Sequence, residues 1–160
     1  MTKNGFSDIF PIPEEKLGYL FWQINMLWVR KVNQSLHDIG LTHTQFITLA
    51  ATELLNHKNE RVIQRDLAEK IKVDRMLISK LVSKLVDAKL LQKMSCKDDS
   101  RVNLLSLTDS GRELLMDAVS IMKQNEQDFF GLVEEDVPKL KTKLKKLLEL
   151  AEQELKNTTT

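Results

Sequence analysis

Val62 to Gly111 reads VIQRDLAEKIKVDRMLISKLVSKLVDAKLLQKMSCKDDSRVNLLSLTDSG. In its first third, Leu67, Ala68 and Ile71 recur at helical spacing, which predicts a short helix over about Gln64 to Ile71. Asp74 is placed as an N-cap, with Val73 and Ile78 as a hydrophobic staple, and opens a second helix over about Arg75 to Ala88. Two helices joined by so short a turn have the dimensions of a helix-turn-helix. After Leu90 the pattern changes to two strand-like runs, Leu91 to Ser95 and Val102 to Leu107, linked by the charged segment Cys96 to Arg101. That is a β-hairpin, or wing. Thr108 then opens a long helix to about Phe130, with Asp109 and Glu113 near its positive end.

The second helix of the pair has two unlike faces. Leu77, Ile78, Leu81, Val82 and Leu85 are expected to pack on the preceding helix, and Arg75, Met76, Ser79, Lys80, Ser83 and Lys84 to face outward. The outward set suits a DNA major groove. Lysine and arginine reach guanine O6 and N7 or phosphates, serine donates or accepts at either base type, and methionine touches a thymine methyl. The hairpin tip, Lys97, Asp98, Asp99, Ser100 and Arg101, carries two acids that would repel phosphate. Asp99 is therefore read as bracing Arg101, whose guanidinium would enter a narrow A·T-rich minor groove. Charge follows the same division. Arg61 to Arg101 holds eleven basic against six acidic residues, and the rest of the chain thirteen against seventeen.

Working outward, Thr42 and Gln45 form a capping-box pair with Leu41 and Phe46 as a staple, so a helix starts there and runs to near His57. Before it, Glu14 to His37 reads as a helix ending at Gly40, a residue suited to the left-handed position. This helix carries two apolar stripes, Leu17, Phe21, Ile24, Trp28, Val32 and Tyr19, Trp22, Met26, Val29, and so calls for burial from two sides. At the other end a helix from about Pro138 repeats Leu140, Leu144, Leu147, Ala151 and Leu155, a coiled-coil-like seam. The expected fold is mainly α with a small β-hairpin. It comprises one domain over 1–160, with a winged helix-turn-helix lobe at 62–107 and terminal helices at 14–40 and 109–156 forming a dimerisation region.

The run LTHTQF (Leu41 to Phe46), DLAEKI (Asp66 to Ile71), ISKLVSKL (Ile78 to Leu85), DSR (Asp99 to Arg101) and LTDSG (Leu107 to Gly111) resembles MarR-type winged-helix transcriptional regulators, over about Leu17 to Leu150. The resemblance implies a homodimer with intertwined terminal helices, a recognition helix at Arg75 to Ala88, and a wing whose Asp99 and Arg101 match the family's acidic and arginine positions. It also implies that a small molecule or oxidant changes the separation of the two recognition helices. The chain departs from the family pattern at Lys89, where a glycine is usual, and at Ile63 and Gln64, where a Ser or Thr cap is common. It also lacks the first-helix cysteine of the peroxide-sensing branches.

The functional expectation is a repressor that binds a pseudo-palindromic double-stranded operator as a homodimer and is released by a small aromatic effector. Tyr19, Trp22, Met26, His43 and Phe46 are the candidate effector-binding residues. The alternative is a winged-helix protein-interaction module that does not bind DNA. No cofactor or metal is expected. His37, His43 and His57 form no i, i+4 pair, and neither a glycine-rich phosphate loop nor a Gly-x-Ser-x-Gly elbow is present. The lone Cys96 has no intrachain partner for a disulfide and no plausible base beside it. With no apolar run of membrane-spanning length and no secretory leader pattern in Met1 to Pro13, a cytoplasmic protein is expected.

Overall fold

The computed structural model describes residues 16–58, 61–95 and 103–158. In chain order the elements are α1 (Leu17–Leu36), a 3-10 turn (His37–Ile39), α2 (His43–His57), α3 (Gln64–Ile71), α4 (Arg75–Asp87), β1 (Leu91–Ser95), β2 (Asn103–Leu107), α5 (Asp109–Phe130), a second 3-10 segment (Gly131–Asp136) and α6 (Val137–Thr158). A mainly helical chain with a two-stranded antiparallel hairpin is thus observed, as the periodicity predicts. Two compact units divide the chain within α5, one ending at Met122 and the other starting at Lys123.

Helix starts in the first unit follow local chemistry. At α2 both arms of the capping box form: the Gln45 N–H donates to Thr42 Oγ1 at 3.3 Å and the Thr42 N–H to Gln45 Oε1 at 2.9 Å. α1 ends earlier than its pattern suggests, passing into the 3-10 turn before Gly40, which takes the left-handed conformation at φ 72°. α3 has no side-chain cap from Ile63, which carries no acceptor. Asp66 Oδ2 instead accepts the Ile63 N–H at 3.3 Å, so the reverse arm alone holds this start.

The core of this unit is drawn from its five α-helices and both strands: Val32 and Leu36 of α1, Leu49 and Leu55 of α2, Leu67 of α3, Ile78, Val82 and Leu85 of α4, Leu91, Leu105 and Leu107 of the hairpin, and Leu115 and Ala118 of α5. α1 joins it only through its C-terminal half. Leu17, Phe21, Trp22, Ile24 and Leu27 stay exposed on the single chain. The burial on two sides expected for this helix therefore falls, within one chain, on one half of its length.

The start of α5 is locked to the turn that follows α4. Thr108 Oγ1 accepts the Gly111 N–H at 3.0 Å and donates to the Lys89 carbonyl at 2.7 Å, while Ser110 Oγ donates to the same carbonyl at 3.1 Å. Gly111 is required by proximity, because a Cβ there would overlap the backbone carbonyl of Leu90. The Leu107 to Gly111 motif is in physical terms a cap and a close backbone crossing.

The second unit comprises the last turns of α5, the 3-10 segment and α6. A groove of about 900 Å³ lies within it, lined on its apolar side by Phe130, Val137, Leu140, Leu144 and Leu148. The seam residues Leu140, Leu144, Leu147, Ala151 and Leu155 all remain exposed.

Candidate nucleic-acid interface

α4 is fixed at both ends. Asp74 Oδ1 accepts the Leu77 N–H at 2.8 Å, confirming the expected cap. At the far end the Leu90 N–H donates to the Leu85 carbonyl at 2.9 Å and Lys89 turns left-handed at φ 59°. A lysine thus adopts the conformation for which the resemblance suggests glycine. The turn between α3 and α4 uses the same device, with Lys72 also at φ 59° and the Val73 N–H donating to the Ala68 carbonyl at 3.1 Å. Each non-glycine residue held there costs about 1 to 2 kcal/mol, which the surrounding hydrogen bonds and packing offset.

Between these ends, Ile78, Leu81, Val82 and Leu85 are buried and set the rotation of the helix. Arg75, Met76, Ser79, Lys80, Ser83 and Lys84 are all exposed, a single outward face with three cations and two hydroxyls. Leu77 is a correction: placed with the packed residues by periodicity, it is 39% exposed. Standing at the third helical position, it lies on the flank of the buried stripe, at the first turn of the helix, where core coverage ends.

The hairpin pairs Leu91 with Leu107 and Ser95 with Asn103. Its base is tied to the helices by the Leu105 N–H donating to the Val62 carbonyl at 2.8 Å and by Asn56 Nδ2 donating to the Leu105 carbonyl at 3.2 Å. Lys93 is exposed on its stem. Cys96, Asp99 and Arg101, and with them the proposed acid–arginine brace, lie outside the described residues.

The residues assigned to an effector fall into two groups. Tyr19 and Trp22 stack at 5.8 Å between ring centroids on the exposed half of α1, where Met26 also lies. His43 and Phe46 are half-buried at the start of α2. The ring set edge-on against His43, at 6.2 Å, is that of Trp28, a member of the other stripe of α1. The His43 N–H donates to Asn33 Oδ1 at 2.7 Å, and burial lowers the imidazole pKa from its usual value. Sequence reasoning missed Trp28 and Asn33; the stripe Ile24, Trp28, Val32 that leads into the core was the available signal.

A helix pair joined by a tight left-handed turn, an outward cationic face on its second helix and an anchored β-hairpin define a winged helix-turn-helix. Comparisons with known proteins agree. Residues 30–118 match the family described as transcriptional regulator SarA/Rot. The chain is 33% identical over 122 residues to the uncharacterized HTH-type transcriptional regulator YdcH of Bacillus subtilis, covering 76% of this chain and 83% of that protein. Its fold superposes on S. aureus MepR in complex with DNA with a TM-score of 0.72 at 28% identity, covering 85% of this chain and 96% of that one. A mutant of E. coli MarR complexed with operator DNA gives 0.75 at 22% identity, a likeness of fold, covering 89% and 97%. The chain belongs to the MarR-type winged helix-turn-helix transcriptional regulators. Its relatives are regulators of transcription rather than enzymes.

Proposed function

We propose that this chain acts as a homodimeric, sequence-specific repressor whose α4 enters the major groove of a pseudo-palindromic operator while the wing reaches the adjacent minor groove. One observation carries the reading: Arg75, Met76, Ser79, Lys80, Ser83 and Lys84 share the solvent face of a helix whose opposite face is completely packed. Asp99 and Arg101 take the wing role from their place in the sequence. Lys80 and Lys84 contact base edges or phosphates, and Ser79 and Ser83 supply hydroxyls on the same face.

Dimerisation is supported by what each unit leaves uncovered. Leu17, Phe21, Trp22 and Leu27 on α1, and Leu147, Leu148 and Leu155 on α6, are more than half exposed on the single chain. Apolar faces of this extent mark surfaces that another chain covers. A two-fold pair places its recognition helices about one DNA turn apart, on the order of 34 Å. Release by a small aromatic compound is the reading for Tyr19, Trp22, Met26, His43 and Phe46. The half-buried Tyr19 ring and the exposed Trp22 ring on α1, with the half-buried imidazole on α2, supply apolar and polar contacts. A cytoplasmic location goes with this role, and among the described residues no helix is long and apolar enough to cross a membrane.

The test is a gel shift against DNA selected from a random pool, read at several salt concentrations. A selective shift whose affinity falls steeply with salt is expected, because phosphate contacts release counterions. Absence of any selective shift at low salt would overturn the reading and leave a protein-interaction module as the remaining role. Phenolic acids added to the same assay should weaken the shift and quench tryptophan emission; a broad panel without either effect removes the effector assignment.

A further inference from the structure

Within α4, Met76 is 71% exposed and Leu77 39%. At 100° per residue, Met76 lies opposite the buried stripe of Ile78, Leu81, Val82 and Leu85 and forms one outward line with Lys80 and Ser83. Leu77 lies on the flank shared with Lys84. Both occupy the first turn, whose position is fixed by the Asp74 cap donating nothing and accepting the Leu77 N–H. Neither Met76 nor the exposed part of Leu77 contributes burial to the lobe, and both sit inside a face otherwise made of cations and hydroxyls.

Taking α4 as the groove-facing helix, we infer that Met76 and Leu77 read the 5-methyl groups of thymines, so that each operator half-site holds thymines recognised by apolar contact. The major-groove edges of guanine and adenine present hydrogen-bonding groups, and the thymine methyl is the apolar feature that distinguishes one base pair there. An unbranched thioether suits such a contact because it adapts its shape to a methyl without needing a directional partner. The neighbouring Arg75 supplies a cation for the phosphate backbone, and the apolar pair is left free to discriminate.

The experiment begins with the operator selected from a random pool, in which each thymine is replaced in turn by deoxyuridine, deleting one methyl. Binding is measured for the wild type, Met76→Ala and Leu77→Ala at one salt concentration, with thermal unfolding to check that each variant is folded. At least one thymine per half-site should cost the wild type about three- to tenfold in affinity when demethylated, and Met76→Ala should reduce that penalty to under about twofold. Leu77→Ala should do the same at a different thymine. Replacing the sensitive thymine by cytosine should weaken binding, and 5-methylcytosine should recover part of the loss. If every thymine tolerates deoxyuridine, or if both variants keep the wild-type penalties, methyl reading is wrong while DNA recognition stands. A pool that yields no consensus removes the groove-facing reading of α4 and this inference together.

Discussion

The two units of this chain are built from similar amphipathic helices, yet only the first closes an apolar core of its own. Among the described residues every buried hydrophobic side chain falls between Val32 and Ala118. In the stretch from Lys123 onward the fully buried residue is a polar one, Asn125, while Leu147, Leu148 and Leu155 are 56 to 70% exposed. Amphipathicity creates an apolar face but does not supply what packs against it. The first unit has seven elements converging on one core; the second has α6 and a short stretch beside it. α1 shows the change within a single helix, with Val32 and Leu36 completely buried and Leu17 84% exposed.

Two glycines break or sharpen this contrast most strongly. A Cβ on Gly111 meets the Leu90 backbone, whose carbonyl also accepts the Thr108 N–H at 3.1 Å and so has little freedom to yield. Gly111→Ala should therefore cost about 3 kcal/mol or more in urea unfolding. Gly131, in the second unit, has nothing within 4 Å of its would-be Cβ, and Gly131→Ala should change stability by less than about 1 kcal/mol. Equal effects at the two positions would mean that the packing difference between the units is not real in solution.

The next test addresses the uncovered face directly. Leu147→Glu places a charge on the seam of α6, where the single chain leaves the leucine 61% exposed. If a second copy covers this face, the substitution should weaken dimerisation by about 2 to 3 kcal/mol without lowering the helical content of the lobe. Sedimentation equilibrium measures the first and circular dichroism the second. A variant that stays dimeric at nanomolar concentration would move the dimer contact elsewhere.

Much of the fold is legible because local signals and the core agree. Thr42 with Gln45, Asp74, and the spacing of Ile78, Leu81, Val82 and Leu85 each specify an element that tertiary packing then retains. What periodicity does not convey is proximity between distant segments. Nothing in the order of letters says that Gly111 lies on the Leu90 carbonyl, or that His43 faces Trp28 rather than the other stripe of α1. Leu77 fails for a related reason: a residue at the edge of a buried arc is covered or not according to how far the neighbouring helix extends.

On the outward face of α4, Lys80→Ala should alter sequence preference, by about 1 to 3 kcal/mol at one base position if the ammonium reads a base edge. Selection from a random pool with both proteins would show it. Uniform weakening across all sequences would instead assign Lys80 to phosphate. A smaller effect, on stability, is expected at the end of this helix. Lys89 sits at φ 59°, so Lys89→Gly should stabilise the lobe by about 0.5 to 1 kcal/mol, the strain relieved exceeding the added chain entropy. Lys84→Gly, within the helix, should have the opposite sign, with a loss of about 0.5 to 1 kcal/mol.

The smallest expected effect reports where the self-sufficient core ends. His43 stands at its edge, between Trp28 and Asn33 of α1, and burial lowers its pKa from the usual 6.5. The unfolded chain therefore takes up a proton at higher pH than the native one does. Stability from keeping this imidazole neutral is fully present above pH 6.5 and is lost as pH falls below it, through the lower native value. Between pH 7.5 and 5.5 the wild type should lose more thermal stability than His43→Gln, a window chosen because most carboxylates remain ionised across it. Equal losses would show that the imidazole is hydrated in both states, and that the region where α2 begins belongs with the uncovered half of α1 rather than with the lobe.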